Sequence, residues 1–316
     1  MNRIKYFKNF PMIKEIEIAG HFIYSSMKSF CQLDGFWNES DIFYVLYTAS
    51  VGIERLQKVL LVLSEDITEE NAGDFEETLI THSHQDLQKR IQDQIGLSFN
   101  SNQNKFLTML TSFYKSCRYD RFTFGDSYQK EKDLLIGYLS SGLNCEIVAN
   151  SFFGNTPNDR RFKKYYCKNL GSIASAYHSW ISYKAHEQNI YTYELPYNSS
   201  AGKIFLPRYE NDTYYRLFEQ EELTRKEYLL FLIQKADDTA WGKFIKSIPP
   251  LELDEALYSS YASALISGQL SLSDMDEVEA EYDYEVENKK DRLNMMDALW
   301  NPLVYLEDEF DDETEY

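Results

Sequence analysis

The sequence predicts a mainly α-helical protein: a helical bundle, additional C-terminal helices, a short β-hairpin near residues 190–207 and an acidic tail. Three observations carry this expectation. Ile42, Leu46, Ala49, Ile53, Leu56, Leu60 and Leu63 step alternately by four and three residues, which places them in one stripe along a helix. Hydrophobic residues make up 43% of the 316, enough to fill a core without disulfide or metal staples. Charge is segregated, because residues 1–190 hold 21 Lys/Arg against 22 Asp/Glu and residues 191–316 hold 11 against 29.

A first helix is expected over residues 12–33, with Pro11 accepted in its first turn. The striped helix follows over 40–64, with Ser40 placed to cap it; about 25 residues at 1.5 Å each span close to 40 Å, a length suited to the spine of a bundle. Helices are expected at 83–95, 105–116 and 128–149, separated by polar connections such as 100–104. Gly154, Asn155, Pro157 and Asn158 form a breaker cluster that marks a first boundary near residue 155, and a long helix should occupy 160–187. From 190 to 206 the pattern changes to short aromatic and β-branched runs around Asn198 to Gly202, the pattern of a hairpin. Helices resume at 219–236, 238–248 and 253–267, broken hard at Pro249-Pro250. The expected division is a bundle over 1–155, an accessory helical region with the hairpin over 156–272, and an acidic segment over 273–316.

Composition excludes several classes. Cys31, Cys117, Cys145 and Cys167 are scattered without a CxxC pair, which argues against a disulfide framework or zinc ribbon and reads as inert thiols. The longest aliphatic runs fall far short of a membrane span, and residues 1–14 lack the apolar core of a secretory signal, so a cytoplasmic location is expected. Residues 274–316 carry 17 acidic and 3 basic residues, interleaved with Tyr282, Tyr284, Trp300, Tyr305 and Phe310. Such a segment suits docking on a basic protein partner or on a basic patch of the same chain, and an acidic mimic of nucleic acid is a further option.

Ser199 to Lys203 has the look of a phosphate loop but lacks its first glycine, and Ile204 stands where Ser or Thr should hold magnesium; it reads as a turn. Five dispersed histidines give no metal site, and no cofactor is expected. Arg160, Arg161, Lys163, Lys164 and Lys168 form the one basic cluster, interleaved with Phe162, Tyr165 and Tyr166. On a helix Arg160, Lys164 and Lys168 share a face, which is either a plain solvated surface or a site for RNA phosphates or the acidic tail.

Three segments in order, Gly52-Ile53-Glu54-Arg55-Leu56-Gln57-Lys58, Thr81-His82-Ser83-His84-Gln85-Asp86-Leu87 and Tyr114-Lys115-Ser116-Cys117-Arg118-Tyr119-Asp120-Arg121-Phe122, resemble the HEPN superfamily over roughly residues 38–150. The resemblance implies a HEPN-like helical bundle, a homodimer, a setting in antiviral defence or toxin-antitoxin systems, and for many members metal-independent endoribonuclease activity through an Arg-x4-6-His motif. In that motif arginine stabilises phosphate charge and histidine moves protons. No histidine in this chain follows an arginine at the required spacing. The expected function is therefore a non-catalytic or highly diverged HEPN-like protein that acts by binding protein or RNA. The alternative is a ribonuclease with a rearranged site, using Arg118 and Arg121 for phosphate and His82 or His84 for proton transfer.

Overall fold

The computed structural model describes residues 3–116, 130–149, 154–196, 199–205, 214–235, 239–284 and 286–299. Arg118, Arg121, Cys117, Trp300, Tyr305 and Phe310 lie outside them, as do the first two residues of the helix expected over 128–149 and residues 150–153 of the bundle expected over 1–155. Thirteen α-helices and a 3-10 turn, with one isolated β-bridge between Gly35 and Pro157, account for the regular structure of the described residues. Contacts divide the chain into residues 1–218 and 219–316.

The first unit is a bundle built around its second helix. α1 (Arg3–Gln32) and α2 (Glu39–Ser64) pair along their lengths, and α2 also packs against α4 (His84–Ile95), α5 (Ser101–Ser116), α6 (Lys130–Leu143) and α7 (Arg160–Glu187). A short α3 (Ala72–Thr78), not anticipated from the sequence, buries Phe75. Every residue of the predicted α2 stripe is buried, and beyond Leu56 the burial spreads around the helix through Val59, Leu61 and Val62. The stretch from Val59 to Leu63 is apolar on all sides and so belongs inside, which makes α2 the spine. Gly52 lets α1 approach, since a Cβ there would stand 2.6 Å from Ile23 Cγ1 and 3.1 Å from the Ala19 carbonyl. The cap of α2 is Asn38, whose Oδ1 accepts from Ser40 N at 3.1 Å, rather than Ser40 itself.

α1 starts nine residues before its expected start and carries Pro11 in its interior. Proline removes a backbone donor and disturbs the preceding turn. Here tertiary partners hold that turn: Thr192 Oγ1 donates to Lys8 O at 2.9 Å, Tyr191 N donates to Asn9 Oδ1 at 3.0 Å, and Lys8 Nζ donates to Glu65 O at 3.0 Å.

The breaker cluster at 154–158 does not end the bundle. Asn158 N donates to Asp34 O at 3.0 Å and Asn158 Nδ2 to Phe30 O at 2.6 Å, fastening the segment to the end of α1. α7 then enters the same core through Phe162, Tyr166, Leu170, Ile173, Tyr177 and Ile181. It spans the expected range, capped by Asp159, which accepts from Arg161 N at 2.8 Å. The compact unit thus runs on to Phe218, where the sequence had suggested boundaries near 155 and 272.

Among the described residues of the span 190–207, where a hairpin was expected, no strand is formed. Residues 190–196 are irregular, and Ser200–Phe205 is a helical turn, α8. Ile190 is buried and Thr192 is tied to α1 through Lys8 O, while Ala201, Ile204 and Phe205 recur at helical spacing in α8, which packs against α1 and α7. Short aromatic and β-branched runs fit either state, and burial on helices selects the helical one.

The division falls within α9 (Tyr214–Lys235), and the second unit continues with α10 (Ala240–Lys246), the 3-10 turn Glu255–Leu257 and α11 (Tyr258–Ser267). The part of the acidic segment that is described is helical: α12 (Leu272–Tyr284) and α13 (Lys289–Leu299). α12 has six acids and no base, and its start is fixed by reciprocal capping, with Ser271 Oγ accepting from Asp274 N at 3.1 Å and Asp274 Oδ2 accepting from Ser271 N at 2.7 Å. Glu277 in its middle accepts from Tyr261 OH at 2.8 Å.

Candidate functional site

The two candidate histidines fall on opposite sides of the chain as it enters α4. His82 lies in the irregular residues before the helix, and His84 is the first helical residue after the cap Ser83. A residue two positions on in such an entry turns its side chain the other way, so His82 faces solvent and His84 faces the core.

His84 is fully buried. Its Nδ1 lies 3.2 Å from Gln57 Oε1, an atom that only accepts, so the imidazole carries its proton on Nδ1. Gln57 Nε2 donates to His84 O and to Tyr177 OH, both at 2.9 Å; Tyr177 OH donates to Gln88 Oε1 at 2.7 Å, and Gln88 Nε2 donates to Leu97 O at 2.8 Å. Burial is the main cause that pushes the imidazole down to about 4, partly opposed by Glu54. His84 is therefore neutral at pH 7 and built into a polar network joining α2, α4 and α7.

His82 has a different setting. Glu54 Oε2 accepts from its Nδ1 at 3.0 Å, Glu54 Oε1 takes Lys58 Nζ at 2.7 Å, and the imidazole stacks on Tyr114 with centroids 4.2 Å apart. Its side chain is 45% exposed. A carboxylate on Nδ1 leaves the other ring nitrogen, Nε2, as the acceptor of a neutral imidazole, the arrangement that orients a general base. Glu54, Gln57 and Lys58 stand on adjacent faces of α2 at one-turn spacing, and none was singled out from the sequence as a site residue. The available signal was Gln57, a polar residue flanked by Ile53, Leu56, Leu60 and Leu61 on a buried stripe.

Among the described residues, no group of three His, Cys, Asp or Glu side chains is placed to hold a metal ion. None of their helices is long and apolar enough to cross a membrane. In the basic cluster, Arg160, Arg161, Lys164 and Lys168 are exposed and Lys163 is half-buried. Arg161 pairs with Asp159 at 2.9 Å, and the Arg160 guanidinium lies 5.1 Å over the Tyr215 ring. The aromatic half of the cluster is spent on the core: Phe162 and Tyr166 are buried, and Tyr166 stacks on Phe30 at 4.0 Å. The cluster thus offers cations without a stacking platform from those two rings.

No protein-family model, curated protein or solved structure matches this chain.

Residues 219–316 hold 26 Asp/Glu against 8 Lys/Arg, nearly the whole net charge of −19. Among the described apolar side chains of this unit only Ile248 and Ala264 are buried. Leu230, Phe231, Leu232 and Ile233 on α9 are all exposed, Phe231 at 65%, and so are Leu272, Met275 and Val278, which recur every third residue along α12.

Proposed function

We propose that this chain works by binding rather than by cleaving RNA: a non-catalytic, HEPN-like helical protein of a defence or toxin-antitoxin type assembly, with residues 219–316 facing the partner. The observation that carries this reading is the second unit, which keeps large apolar side chains in water beside a concentration of acids. Exposed apolar patches of this kind, rimmed by charge, fit a partner that brings apolar groups together with Lys and Arg. The interior place of His84 argues the same way, since a neutral imidazole locked to Gln57 cannot reach a substrate.

The second reading, a metal-independent ribonuclease, is favoured by the Glu54–His82 pair at 3.0 Å on a half-exposed imidazole. In that reading Arg118 and Arg121 supply the phosphate contacts, and Arg160, Arg161, Lys163, Lys164 and Lys168 hold RNA.

The test incubates the purified full chain with mixed RNA, with and without chelator, alongside Arg118→Ala and His82→Ala. No cleavage above background is expected from any of them. Chelator-resistant cleavage that is lost in both variants would replace the binding reading with the ribonuclease. On the binding side, crosslinking in cells of the source type should recover a partner whose yield falls in high salt and in Phe231→Asp.

A further inference from the structure

Two of the cysteines that spacing left unpaired meet in the fold. Cys31, one residue from the end of α1, and Cys167, in the second turn of α7, have their Sγ atoms 3.7 Å apart, although 136 residues separate them. Cys167 is buried and Cys31 is half-buried, so Cys31 is the member of the pair nearer to solvent.

The surrounding contacts hold the two helices in register on either side of the pair. Ser26 Oγ donates to Val45 O at 2.9 Å, and since its single proton is used there, the Tyr166 hydroxyl donates to Ser26 Oγ at 2.8 Å. Phe30 stacks on Tyr166, and Asn158 Nδ2 binds Phe30 O. A disulfide needs sulphurs about 2.05 Å apart, so closure asks for less than about 2 Å of sulphur movement between elements that are already fixed against each other.

We infer that Cys31 and Cys167 form a thiol oxidation site, at which peroxide converts the pair into a reversible disulfide that staples α1 to α7. The Cys31 thiolate attacks hydrogen peroxide, breaking the O–O bond to give a sulfenic acid and hydroxide. The Cys167 sulphur then attacks the Cys31 sulphur, the S–O bond breaks and water leaves; two electrons pass from the two thiols to peroxide, which ends as two waters. The order follows exposure, since Cys31 meets the oxidant and Cys167, whose thiol burial pushes up, is the resolving partner. Small thiols or a dithiol reverse the bond by exchange. The site is independent of the binding reading above.

The test treats the full chain with hydrogen peroxide, blocks remaining thiols with N-ethylmaleimide under denaturing conditions, and maps the peptides. An intramolecular Cys31–Cys167 peptide is expected, absent after dithiothreitol, while Cys145, also half-buried, stays alkylated. The oxidised chain should melt higher by roughly 5–10 °C, because a large loop is closed in the unfolded state. Cys167→Ser should leave Cys31 as a sulfenic acid that dimedone traps, and Cys31→Ser, at the less buried position, should remove the crosslink and the rise in Tm together. Crosslinks between chains, Cys31 driven to sulfinic acid in the wild type, or alkylation of both thiols after peroxide would each overturn the inference.

Discussion

His84 couples the core to pH. Its folded value of about 4 lies below the ordinary 6.5, so between these two values the unfolded chain binds more protons than the folded one. The stability it contributes is complete above pH 6.5 and is lost as pH falls toward 4, up to about 3 kcal/mol from this one group. Urea unfolding across that window should show the slope, reduced in His84→Gln; His178, also pushed down to about 4 by burial, contributes separately and needs its own variant. Tyr177→Phe should cost about 2–3 kcal/mol in the same assay, because Gln57 Nε2 and Gln88 Oε1 each lose a buried partner. The identities of these residues were plain in the sequence, but their meeting was not. His84 with Gln57, and Cys31 with Cys167, join positions 27 and 136 residues apart, and such pairs are set by helix packing that periodicity alone does not encode.

Element by element, α2 lies where its apolar stripe put it, α7 spans the range expected behind the breaker cluster, and α4 begins one residue after its expected start, capped by Ser83. The departures have physical causes. α1 extends through Pro11 because Thr192 and Tyr191 hold the turn before it, α8 is helical because it docks on α1, and α12 forms behind the Ser271–Asp274 capping pair despite its acids. Two glycines give opposite expectations. At Gly20 a Cβ would stand 2.5 Å from Ala201 Cα, so Gly20→Val must push α8 away and should cost about 1–3 kcal/mol. At Gly137, exposed within α6 with open space around it, Gly137→Ala should stabilise by about 0.5–1 kcal/mol. Thermal unfolding of the two variants side by side checks both signs.

For the whole molecule, the division at Phe218 predicts unequal behaviour on dissection. Residues 1–235, which keep the buried Tyr214, Tyr215 and Leu217, should unfold cooperatively with a Tm within a few degrees of the full chain. Residues 219–316 alone should show no cooperative transition by circular dichroism, since a unit whose described residues bury so little apolar surface cannot offset its chain entropy. The charge asymmetry between the units was legible from the sequence; the position of their boundary was not, because the Gly154–Pro157 breaker is fastened back onto α1. The two ends of α1 carry a consequence for synthesis on the ribosome. The far end of this helix is tied by Asn158 and its near end by Tyr191 and Thr192, all made much later than the helix itself. A nascent chain can pair α1 with α2 early, but the turn around Pro11 must wait until Thr192 has left the exit tunnel, so pausing before that point should leave this turn open to proteases and chaperones.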